Sequence, residues 1–109
     1  MSIKEVDELH EIAMNGAEEA IFNERKGYRN KAKELYRDAL YYEERAANLL
    51  LDKFDIEPTR SVLFKSAAWL AYKSDDYDKV KILVKHVFEG NPDNIIVEEM
   101  NTLLDKIKG

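Results

Sequence analysis

The chain has 109 residues, 45% hydrophobic and 36% charged, with a formal net charge of -5 and no cysteine. The length suits one domain, the composition suits a folded chain with a wet surface, and the acidic balance argues against general nucleic-acid binding, which needs a basic footprint on phosphates. Disulfides and thiolate chemistry are excluded, no apolar run reaches the roughly 20 residues of a membrane span, and Met1-Ser2-Ile3-Lys4-Glu5 does not read as a secretory leader.

These bounds predict a single all-α domain over residues 1–109, cytoplasmic, with no membrane and no nucleic acid among its partners. Ser2-Ile3-Lys4-Glu5 has the S-x-x-E form of a capping box, which starts a first helix almost at the N-terminus. Ile3, Val6, Leu9, Ala13, Ala17 and Ala20 then share one side. The helix is expected to run to about Arg25 or Lys26, whose cations suit its C-terminal end, and to close at Gly27. Its second half carries Gly16, Ala17 and Ala20, small enough for a neighbouring helix to come close.

From Arg29 the apolar pattern Ala32, Leu35, Tyr36, Ala39, Tyr42, Ala46, Leu49, Leu50 continues until Pro58 forbids extension. A long second helix of about 22 to 25 residues follows from that run at 3.6 residues per turn. The stretch from Arg60 to Asn94 reads as a complete helical hairpin. Phe64, Ala67, Ala68 and Ala71 form one apolar stripe, and Val80, Leu83, Val84 and Val87 form another. Between them Asp76 is the expected N-cap, accepting amide hydrogens at the start of the fourth helix. Gly90 is expected to close that helix in the left-handed conformation, with Asn91-Pro92 as cap and first turn of the next. Ile95, Ile96, Met100, Leu103, Leu104 and Ile107 then line a fifth, C-terminal capping helix.

The spacing Phe64-x2-Ala67-Ala68-x2-Ala71, then Val80-x3-Val84, then Pro92, resembles a tetratricopeptide repeat (TPR), a 34-residue helix-turn-helix unit. Ser61 to Asn94 is 34 residues in that register. Ala32-x3-Tyr36 followed by Ala39-Leu40 is similar to the second helix of a degenerate earlier unit, whose first helix fits less well at Gly16, Glu19 and Asn23. Ala32 and Val80 stand 48 residues apart (80 − 32), which describes a bundle or short superhelix of antiparallel hairpins rather than a regular solenoid.

No chemistry is legible. His10 and His86 are the only histidines, and Asp7-x-x-His10-Glu11 lacks the three or four ligands that zinc or di-iron sites require, so a solvated His10 and a His86 interacting with its helix end are expected. Asp75, Asp76 and Asp78 lack the alternation, glycine and glutamate of a calcium loop. Ser61, Ser66 and Ser74 have no base beside them in sequence, and there is no phosphate loop. The reading is of a non-enzyme without metal or cofactor.

The resemblance implies instead a protein-interaction module. In that family the inner helix lines a concave surface, which here places Val62, Lys65, Trp69, Tyr72 and Lys73 beside Met14, Ala17 and Ile21. Met14, Ile21, Lys65, Trp69, Tyr72 and Lys73 are the candidate peptide-binding residues of a groove with an apolar floor and two lysines, suited to an extended or helical peptide with acidic groups. Trp69 could equally fill core against the second helix. A different class of function is self-association as a homodimer through Tyr41, Leu51 and Phe54, which lie outside the main stripe of the second helix.

Overall fold

The computed structural model describes residues 3–108, so the capping box at Ser2 lies outside the described residues. Five helices follow one another: α1 (Ile3–Arg25), α2 (Arg29–Asn48), α3 (Thr59–Lys73), α4 (Tyr77–Glu89) and α5 (Asn94–Ile107). The fold is all-α. No helix is long and apolar enough to cross a membrane among the described residues.

Short connections make α1 with α2, and α3 with α4, antiparallel hairpins. At the first turn Gly27 takes φ +87, and the Tyr28 amide donates back to the Asn23 carbonyl at 2.9 Å, closing α1 as the sequence predicts. At the second, Asp75 takes the left-handed position with φ 62, and the Asp76 carboxylate accepts from the Lys79 amide at 3.2 Å as the N-cap of α4. The expected backbone approach in α3 is present. Phe64, Ala67, Ala68 and Ala71 are all completely buried, against Val80, Leu83, Val84 and Val87 of α4.

Three boundaries differ from expectation. The second helix stops at Asn48, giving 20 residues, because the chain then tightens into turns in which the Leu50, Leu51 and Lys53 amides bond three residues back, and Arg60 Nε takes up the freed Leu51 carbonyl at 3.1 Å. Gly90 is not left-handed: its φ is -94, and its lack of a side chain serves space, since a Cβ there would stand 2.5 Å from Arg60 Nη1. The cap of α5 is Asp93, whose carboxylate accepts from the Ile96 amide at 2.9 Å. Asn91 is occupied elsewhere, its amide donating to Glu57 Oε2 at 2.9 Å.

Arg60 is the knot of this end of the molecule. Its side chain is fully buried, donating also to the His86 carbonyl at 2.8 Å and lying over the Phe54 and Phe64 rings. A cation there satisfies carbonyls at the ends of α2 and α4. Glu57 gathers the other half, accepting from the Ser61 amide and hydroxyl and from Asn91.

α2 packs against both α1 and α3, which scarcely touch each other. Two helices resting on a third leave a valley between them.

Candidate functional site

The valley runs along α1 and α3, which lie parallel and in step. At one end Val6 and His10 face Thr59, Val62 and Leu63 across a recess of about 190 Å³. Further along, Met14, Ala17 and Ile21 face Ser66, Trp69 and Leu70 across a second of about 280 Å³, with Tyr36 of α2 in its lining. From Val6 to Glu24 the valley is about 27 Å long at 1.5 Å per residue. Its α1 wall is a spacing of three and four, Asp7, His10, Met14, Ala17, Ile21, Glu24, set just beside the buried stripe of Val6, Leu9, Ala13 and Ala20.

Polar ties fix the walls at each end. His10 Nδ1 sits 2.8 and 2.9 Å from the two carboxylate oxygens of Glu43, which is fully buried on α2. The expected solvated histidine is therefore a half-buried one that partners a core carboxylate. At the other end the Tyr36 hydroxyl donates to Glu24 Oε1 at 2.9 Å, and Lys73 Nζ meets Glu24 Oε2 at 2.9 Å. The Lys73 bond, with that of Tyr36, outweighs partial desolvation and holds the Glu24 carboxyl below its ordinary pKa. Burial, reinforced by the Glu24 carboxylate, pushes the Tyr36 phenol up to about 12.

Trp69 is not core filling against α2. It is 49% exposed, on the ridge between this valley and a second depression shared by α3 and α5. Of the six predicted peptide-binding residues, Met14, Ile21, Trp69 and Lys73 line one recess. Lys65 faces the α5 side with Ile95 and Met100, tied to Glu99 at 3.0 Å. Tyr72 faces the opposite end of α3, between Trp69 and Tyr77. Both lysines are neutralised by glutamates, so the valley has no cation reserved for an acidic ligand.

Glu24, Tyr36, His10 and Thr59 were not legible as valley residues. The signal for His10 and Glu24 is their spacing, which continues the line of Met14, Ala17 and Ile21, and that for Tyr36 is a buried phenol that needs an acceptor. Of the alternative dimer strip, Tyr41 on α2 and Phe54 are about half exposed, as Trp69 is, with Arg45 and Arg60 over their rings; Leu51 is half-buried, and it and Phe54 lie beyond the end of α2. His86 pairs with Glu89 at 2.8 Å and packs on Phe64. Among the described residues no group of three or more His, Cys, Asp or Glu could hold a metal ion.

Compared with known family models, curated proteins and solved structures, the chain has no match in any of the three.

Proposed function

We propose that the chain is a cytoplasmic, TPR-like protein-interaction module that takes a peptide segment of another protein in the α1–α3 valley and performs no chemistry of its own. The observation that carries the reading is Trp69, a large aromatic side chain left half in water opposite Met14, Ala17 and Ile21 over an open recess. Aromatic anchors with low conformational entropy are the residues that dominate binding energy at interfaces. A mostly apolar recess bordered at one end by the Glu24–Lys73 ion pair is suited to an incoming side chain.

The test is a selection from random displayed peptides on the full chain, followed by anisotropy with labelled winners. Peptides that bind the wild type, lose at least tenfold with Trp69→Ala or Met14→Ala, and retain affinity for Tyr28→Ala support the valley. Tyr28 is as exposed as Trp69 but lies at the α1–α2 turn, away from it. Winners indifferent to Trp69 and Met14 remove the site. A concentration-dependent dimer broken by Tyr41→Ala and Phe54→Ala would favour self-association instead.

A further inference from the structure

We infer that the occupant of the α1–α3 valley is a single amphipathic helix of another protein, about five turns long, whose apolar stripe is flanked by basic residues on the side facing α1. The inference rests on the reading that the valley takes a peptide and specifies which kind. Three observations carry it.

The first is shape. α1 and α3 lie parallel on α2 with little direct contact besides the Glu24–Lys73 ion pair, and two recesses lie between them along Val6 to Glu24. A fourth rod laid in that trough completes a four-helix arrangement, and the spacing of three and four along His10, Met14, Ala17 and Ile21 is the spacing that packs knobs from a neighbouring helix. Ala17, the smallest of the four, admits the closest approach opposite Trp69.

The second is hydrogen bonding. An extended peptide would carry bare amides and carbonyls into the valley, where each needs a partner. Along the larger recess Tyr36 and Lys73 are both bonded to Glu24, and Ser66 and the Trp69 indole N–H are the other polar groups in the lining, too few to pair with an extended backbone. A helix satisfies its own backbone and asks the valley for apolar contact alone.

The third is charge. Just outside the α1 wall stand Glu11 and Glu18, seven residues apart on one line of the helix, both exposed and neither in an ion pair among the described residues. Asp7 lines the first recess on the same edge, while Lys4 and Arg25 stand at the two ends of the edge. The opposite wall presents Val62 and Trp69 to the same space. Since Lys65 and Lys73 are matched internally, the unmatched charge beside the valley is negative along its central length, the reverse of a preference for acidic peptides.

Two libraries displayed against the full chain test this. One holds 18-residue helix-forming peptides with leucines at spacings of three and four and Lys, Glu or Gln varied at the flanks; the other holds unconstrained 18-residue peptides. Enrichment of the first with lysine on one flank is expected. The variant Glu11→Lys/Glu18→Lys should melt like the wild type and weaken a winning peptide by about fivefold to tenfold at low salt, as for two surface charge pairs. Winners with glutamate flanks, or winners indifferent to that variant, overturn the basic flank. Winners only from the second library, extended and proline-containing, overturn the helix while leaving peptide binding intact; no winners from either remove both readings. A dimer of the chain alone that Trp69→Ala dissolves makes a second copy the occupant and likewise overturns the inference.

Discussion

The two ends of α3 serve opposite purposes. Around Arg60, at its start, the chain closes on itself: a buried guanidinium, Glu57, Ser61, Asn91 and two helix-end carbonyls are bound together, and Gly90 is left bare to make room. Around Trp69, two and a half turns later, large apolar side chains face water over a recess. Polar groups at the first end are buried and, Arg60 Nη2 apart, hydrogen-bonded, whereas the second end leaves apolar surface exposed over a recess. The contrast predicts that substitutions at the first region cost folding, and that those at the second cost recognition.

Breaking the closed region should have the largest effect. Arg60→Ala removes two charge-assisted bonds worth about 1.5–3 kcal/mol each and leaves the Leu51 and His86 carbonyls without their donor, so a loss of about 3–5 kcal/mol is expected in urea denaturation. Gly90→Ala places a methyl against the guanidinium and should cost about 1–3 kcal/mol by overpacking. In an Arg60→Ala background the same change should cost much less, with the 3.3 Å approach to Glu57 Oε2 remaining, and additive effects would disprove the Arg60 contact.

The titrations sharpen the comparison. Burial alone would raise the Glu57 pKa, but hydrogen bonds from the Ser61 hydroxyl and amide and from Asn91, with the Arg60 charge, outweigh it and leave the group below its usual value of 4.5. Its folded pKa is depressed, so its contribution to stability is present above 4.5 and is lost as pH falls through the lower, folded value. Glu57→Gln should therefore flatten the acid side of the stability profile. Tyr36 has the opposite sense. With a folded pKa near 12 against 10 unfolded, the unfolded chain holds fewer protons in between, and stability declines as pH rises from 10 to 12. Tyr36→Phe should remove that decline. The same slope in both proteins would mean that the phenol is not confined as its bond to Glu24 requires.

The five helices were legible because apolar periodicity and turn residues agree locally: Gly27 closes α1, and Asp76 caps α4 where their neighbours predict. What escaped were effects set by residues distant in the chain. The early end of α2 and the bare Gly90 both answer to Arg60, a residue that a hydropathy pattern places on the surface. Of the candidate site, Met14, Ile21, Trp69 and Lys73 were found through the positions of the TPR pattern and do share a recess. Lys65 and Tyr72 were displaced from it by rotation around α3, and the neutralisation of both lysines depended on Glu24 and Glu99, carried by α1 and α5.

The smallest expected effect on folding is the most informative. Phe64 and Trp69 stand five residues apart on α3, about 140° around it at 100° per residue. Phe64 is fully buried, and truncation to alanine should cost about 3–5 kcal/mol by opening a cavity. Trp69→Ala removes a larger side chain, yet one already half in water whose neighbours can relax, and alanine suits a helix, so a loss of no more than about 1 kcal/mol is expected. If chemical denaturation instead finds Trp69→Ala as costly as Phe64→Ala, the indole is holding α1 against α3, and the valley is a seam of the fold with no vacancy for a partner. If the cost is small, the fold gains little from keeping Trp69 there, and the contribution of its aromatic surface lies in what it contacts outside the chain.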